Sequence, residues 1–159
     1  MLQNTFKFFI PLLVVILGVC STPVWGTRLS VPPLKAKPGQ KIDMPLMIDQ
    51  IEKLAGVKLV IKYDAALLTF VKATKTAQTT SLMHIVNDRT PGILIVVMAG
   101  AQGISGKNFP LLNLTFMVTK DIHKGSTTEL QVTESQFMSE DLKDIPATIQ
   151  IAPLTIVIP

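Results

Sequence analysis

Two histidines, four late carboxylates and one glycine-rich stretch are the residues with which this chain could do chemistry. His84 lies in an apolar run and His123 in the turn-like Asp121-Ile122-His123-Lys124-Gly125. Neither has a cysteine or a second histidine at the short spacings that hold zinc, so both read as structural or exposed. Glu134, Glu140, Asp141 and Asp144 form the densest acidic region. Two carboxylates facing each other across a cleft could hydrolyse a glycosidic bond, and several converging oxygens could ligate calcium. No Asp-x-Asp-x-Asp-Gly pattern accompanies them, and a solvated loop is the expectation. Gly100 to Gly106 carries loop glycines without a helix start to hold phosphate, and reads as a flexible loop. Nothing matches Gly-x-Ser-x-Gly, so acyl transfer has no starting point. The expectation is a chain with no catalytic residue, no metal site and no cofactor.

The elements that would position any site begin after a leader. Residues 1–26 look like an export signal: Lys7 supplies the basic start, and Phe8 to Val19 an apolar core broken only by Pro11. That core is shorter than the ~20 residues needed to cross a bilayer as a helix. Gly26 is the small residue at the expected cleavage position, which places the mature start at Thr27 and the domain at 27–159. Cys20 follows Leu17-Gly18-Val19 and faintly resembles a lipid-anchor site, but Val19 is bulky where such sites take a small residue. An uncleaved anchor is a further alternative. The expected location is periplasmic or extracellular. Cleavage would remove the only cysteine, so the mature chain must rest on a hydrophobic core rather than a disulfide. The net charge of +4 falls by one with Lys7. The lysines are scattered, without a concentrated basic patch, which argues against a nucleic-acid partner.

The mature region reads as nine strands: 29–35, 42–49, 57–63, 68–73, 82–87, 93–99, 110–118, 128–133 and 148–158. Ile42, Met44, Leu46 and Ile48 keep a clean two-residue period. In the third strand Val57, Leu59, Ile61 and Tyr63 share one face, and Lys58, Val60 and Lys62 the other. Turn signals fall at Lys37-Pro38-Gly39-Gln40, at Asp64 to Leu68 and at Asn87 to Gly92. Short strands punctuated by Pro and Gly, with helical spacing nearly absent, predict an all-β antiparallel sandwich. Ile93-Leu94-Ile95-Val96-Val97-Met98-Ala99 is apolar on both faces. Either a loop covers its outer side, or that side is an exposed stripe awaiting a partner.

With these landmarks in order, the mature chain resembles the cohesin domains of cellulosome-type assemblies. The matching pieces are Lys37-Pro38-Gly39-Gln40-Lys41-Ile42 with Pro45-Leu46, and Leu54-Ala55-Gly56 leading into Leu59-Val60-Ile61-Lys62-Tyr63-Asp64 and Leu67-Leu68. Gly92-Ile93-Leu94-Ile95, Gly103, Leu112, Leu114-Thr115-Phe116-Met117-Val118 and Phe137 follow in the same order. The resemblance implies a nine-stranded jelly-roll sandwich. It also implies a non-catalytic module that binds a dockerin through the sheet face of the third, fifth and sixth strands. Carried over by position, that face holds Lys58, Val60 and Lys62, then Met83, Ile85 and Asn87, then Ile95, Val97 and Ala99. The chain departs from the family pattern at two places. Many dockerin-binding members have Asn-x-Asp where this chain has Gly56-Val57-Lys58, and an acidic residue near Gly100. Lysine in place of an acid reverses the charge that a partner must meet.

Three functions follow. The first is an exported protein-interaction module whose partner is a dockerin-type or other protein. The second is a carbohydrate-binding module on the related architecture. It would need exposed aromatics, and after Trp25 only Tyr63, Phe70, Phe109, Phe116 and Phe137 remain, of which Tyr63 and Phe116 are expected in the core. The third is an enzyme using the late carboxylates, which requires a pair across one pocket. Asn113-Leu114-Thr115 forms a glycosylation sequon inside a predicted strand, where it is expected to be idle.

Overall fold

The clean alternation of Ile42 to Ile48 persists well past Asp49, with brief interruptions, and it builds the longest stretch of paired backbone but one. A computed structural model describes residues 26–122 and 126–156; the proposed leader up to residue 25, with Cys20, as well as His123 and the end of the last predicted strand, lie outside them. The strands are β1 (Thr27–Val31), β2 (Leu34–Ala36), β3 (Lys41–Lys62), β4 (Leu68–Lys75), β5 (Met83–Asn87), β6 (Ile93–Val118), β7 (Thr127–Thr128), β8 (Gln131–Ser139), β9 (Ala147–Ile151) and β10 (Leu154–Ile156). A seven-stranded sheet has the path β4-β6-β3-β1-β9, with β5 added on β6 and β8 on β3. A three-stranded sheet has the order β2-β10-β7. The chain is an all-β two-sheet sandwich of the jelly-roll kind, as expected.

Strands β3 and β6 pair along almost their whole lengths, and the pair is bent over on itself. Ile42 near the start of β3 is registered with Phe116. Tyr63, just past the end of β3, packs its ring on Phe116 with centroids 5.2 Å apart. A straight strand would separate Ile42 from Tyr63 by about 70 Å, at roughly 3.3 Å per residue. The strand must therefore double back, so that its two halves wall opposite sides of one core. Its first half lies between β1 and the second half of β6; its second half lies between β8 and the first half of β6. Inward residues from both halves, including Ile48, Leu59, Ile61, Leu94, Val96 and Phe116, are wholly buried.

Several boundaries differ from expectation, for physical reasons. Gly100 to Gly106 is continuous strand in β6, not a flexible loop, because β3 supplies backbone partners across the bend: Leu54 faces Ile104 and Ile51 faces Gly106. The bend needs close approach. Register shifts fall between Ile51 and Gly56, Lys53 takes φ +55°, and a Cβ on Gly103 would lie 2.5 Å from the Lys53 backbone. The expected first and last strands each split in two, at Pro32-Pro33 and at Ala152-Pro153. Proline cannot donate to a ladder, and the chain passes there from the large sheet to the small one. β1 with β9, and β2 with β10, pair in parallel, so the sheets are not purely antiparallel. The expected strand at 128–133 also splits. Thr127–Thr128 joins the small sheet, while β8 runs on to Ser139 and carries Glu134, which was expected in a loop.

Candidate functional site

The outer surface of β8, β3, β6 and β5 is where the predicted site residues meet. Register assembles them in rows. Met138, Gly56, Ala99 and Met83 form one row. Gln136, Lys58, Val97 and Ile85 form the next, and Glu134, Val60, Ile95 and Asn87 the third. Lys62 stands beyond them, opposite Ile93 and Gln131. All nine predicted residues thus share one face. Their sequence neighbours Val57, Leu59, Ile61, Leu94, Val96 and Met98 point inward and are buried, so the face is fixed by the pleat.

Among the described residues no loop covers the sixth predicted strand: Val97 is 39 % exposed and Ala99 is exposed. Met83 is 72 % and Ile85 67 % exposed, and with Val97 they are three of the five exposed large apolar residues among those described. Between the apolar ends the surface dips over Gly56, where a side chain is missing. The hollow is about 220 Å³ and is bounded by Lys58, Val97, Ala99, Gln136 and Met138. β8 was absent from the predicted site. Its contribution was detectable only in the alternation of Gln136 and Met138 around buried Phe137, because Val132 is the one apolar residue in the rest of that strand.

Lys58 does not stand as a free cation on this face. Its Nζ donates to Glu134 Oε1 at 2.6 Å, with both side chains about half exposed. Such a pair contributes at most about 1 kcal/mol to stability. Its larger effect is chemical: a neutralised pair sits where many relatives are expected to carry an acid. Lys62 is exposed, and among the described residues no carboxylate lies within ion-pair distance of it. The second departure has a packing reason. A Cβ on Gly100 would fall 2.6 Å from Cδ2 of Leu82, a core residue, so an acidic side chain there would displace the core.

The late carboxylates do not converge. Glu134 serves Lys58. Glu140 and Asp141 both reach Lys53, at 3.3 and 3.5 Å, and the Glu140 carboxylate also accepts from the Gly103 amide. The Glu140 hydrogen bond, reinforced by the Asp141 charge, raises the Lys53 pKa above the ordinary lysine value. Their work is to brace the bend, along with Ser105 Oγ, which accepts from the Lys53 amide. Asp144 borders a separate open cleft of about 570 Å³ with Glu52 and Lys107. Both acids are exposed, whereas a general acid for glycoside hydrolysis needs a desolvated carboxyl. Among the described residues no three His, Cys, Asp or Glu side chains group to hold a metal. His84 is half-buried on the inward side of β5, opposite Met98. Of the five aromatics past the leader, Phe109, Phe116 and Phe137 are buried and Tyr63 and Phe70 half-buried; no flat platform for sugar is presented. Asn113 lies in β6 with β3 and β4 on either side.

The cohesin domain family model matches residues 27–153. The chain belongs to the cohesin domain family. Cohesin domains are non-catalytic protein-interaction modules, and this domain is of that class. Solved structures agree on the fold. The sixth cohesin of scaffoldin B from Acetivibrio cellulolyticus, solved with a Cel5 dockerin, superposes with TM-score 0.73 at 19 % identity, covering 84 % of this chain and 99 % of that one. The non-cellulosomal cohesin of the archaeon Archaeoglobus fulgidus gives 0.71 at 19 %, over 84 % and 91 %. CaCohA2 from Clostridium acetobutylicum gives 0.70 at 22 %, over 83 % and 91 %. No curated protein matches the chain.

Proposed function

We propose that this cohesin is exported and binds a dockerin-type protein module on the β8-β3-β6-β5 face. The observation that carries the reading is the placement of Met83, Ile85 and Val97 side by side, exposed, on a sheet whose other surface packs the core. An apolar stripe rimmed by polar groups is the usual mark of a protein interface. Four of the structurally similar cohesins, from Acetivibrio cellulolyticus and Clostridium thermocellum, were solved in complex with dockerins, which supports a partner of that kind. In this assignment Val60, Ile95, Val97 and Ala99 supply central apolar area, Met83 and Ile85 the β5 flank, and Asn87 a rim hydrogen bond. The hollow over Gly56 receives one apolar side chain of the partner. Lys58, held by Glu134, and Lys62 orient an acidic or hydrogen-bond-accepting surface.

Export rests on residues 1–26, and the mature domain is assigned to 27–159. The start of both the family match and β1 at residue 27 supports this division. Among the described residues no helix is long and apolar enough to cross a membrane.

The test is capture from the exported proteins of the source with immobilised Thr27–Pro159, with the Val97→Asp variant alongside. A protein retained by the first and released by the second, carrying a dockerin module, is the expected result. Capture of an equal set by both folded forms would overturn the site, and capture of polysaccharide alone would overturn the partner class.

A further inference from the structure

We infer that β5 is a self-association edge, pairing antiparallel with β5 of a second copy about a two-fold axis at Ile85. Among the described residues β5 has one strand partner, β6, and its other edge ends the sheet. Such an edge presents unpaired N–H and C=O groups, and monomeric proteins blunt it with lysine, proline, a bulge or a cover.

The other edges of the large sheet are treated in those ways or expose only polar residues. β4 carries Lys72 and Lys75 and a register shift between Phe70 and Lys72. β8 carries Glu134, and its end is covered where Ile145 donates to the Phe137 carbonyl and Met138 bridges Asp144. β9 exposes Thr148 and Gln150 while its isoleucines turn to the core. Among the described residues β5 itself has none of these devices, the nearest being Lys75, which donates to the Thr80 and Leu82 carbonyls just before it. Met83-His84-Ile85-Val86-Asn87 contains no lysine, acid or proline and pairs with β6 without a shift, and it exposes Met83 and Ile85.

Chemistry selects a second copy of this chain as the occupant. In a two-fold antiparallel pair centred on Ile85, Met83 meets Asn87 and His84 meets Val86. Leu82 then meets Asp88, and Ser81 meets Arg89. No like charges oppose each other, and Ile85 meets Ile85, with Cβ atoms about 4.5–5.5 Å apart. The resulting sheet would run unbroken through both copies with both outer faces on one side. The inference stands whether or not the outer face binds a dockerin.

The test uses the chain from Thr27, which holds every strand described and no cysteine. Sedimentation should show monomer passing to dimer as concentration rises. Ile85→Lys, which puts two cations on the axis, should abolish the dimer while leaving the denaturation midpoint close to wild type. Under mild oxidation Ile85→Cys should cross-link rapidly, since cysteines at that separation are close to the ~3.8 Å needed for a disulfide. Val97→Cys, on the face but away from the edge, should not. A chain that stays monomeric to millimolar concentration, or cross-linking at Val97 equal to that at Ile85, would overturn the inference. The second result would point to face-to-face stacking.

Discussion

Replacing Val97 by Asp tests the proposed docking face separately from the core in one experiment. Val97 is 39 % exposed, so more than half of its side chain is already out of water in the free domain. Burying a whole valine is worth about 1.5–3 kcal/mol, so the substitution forfeits about 1–2 kcal/mol of folding stability. Part of that returns, because Lys58 is the cross-strand neighbour of Val97 and an opposite-charge pair there contributes about 0.2–1 kcal/mol. A domain stable by several kcal/mol stays folded. On docking, the remaining exposed fraction would have contributed about 1 kcal/mol. The new carboxylate must also be desolvated, at a cost of several kcal/mol per uncompensated ion that Lys58 reduces. The net loss is about 3 kcal/mol or more, or roughly 100-fold in affinity. Titration calorimetry against the captured partner measures the affinity, and urea denaturation measures the fold. An affinity within a few-fold of wild type would refute the site. Loss of cooperative unfolding would refute the claim that Val97 lies outside the core.

The remaining predictions concern the bend and the face. Gly103→Ala forces a Cβ against the Lys53 carbonyl at 2.5 Å, where the atoms met are backbone; it should destabilise by about 3 kcal/mol, and a urea midpoint near wild type would refute the close approach. Lys53→Ala should be less stable than Lys53→Gly. Leaving the left-handed conformation to glycine relieves about 1–2 kcal/mol, offset by about 0.5–1 kcal/mol of chain entropy. The Lys53 ion pairs favour the charged, folded form, so their contribution persists through neutral pH and, at the alkaline end, is lost as pH rises through the raised lysine value. The stability gap between wild type and Lys53→Ala should therefore be flat from about pH 6 to about pH 9. Glu134→Gln should change stability by less than about 1 kcal/mol, yet tighten an acidic partner by freeing Lys58, as salt-dependent binding would show. The self-association of β5 is tested through Ile85→Cys and Ile85→Lys.

The outward placement of the candidate face was legible because alternation is a local signal. Lys58, Val60 and Lys62 could be assigned to the outside from their neighbours Val57, Leu59 and Ile61 alone, and pairing then placed Ile95 and Val97 beside them. The double-bent strand was not legible. Its bend depends on Lys53 adopting a conformation that lysine rarely takes and on Gly103 meeting it from a strand fifty residues later. A glycine tract gives the same local signal whether the chain is loose or tightly opposed. β8 was hidden for the opposite reason. Of Gln131 to Gln136 none is buried, so an edge strand anchored to the core mainly through Val132 and Phe137 carries little hydrophobic period to detect.

The two departures from the family pattern bear on the face differently once the structure is known. Gly100 is constrained from beneath, since any side chain there meets Leu82 in the core. Lys58 is not constrained by packing; it is half exposed and its charge is met by Glu134 from β8. In the proposed docking mode this pair is available to a partner, because neither residue is needed to fill the core. Discrimination among partners on this face would therefore come from the Lys58–Glu134 pair, whose rearrangement changes the sign of charge presented, and less from the apolar stripe, which any amphipathic surface could satisfy.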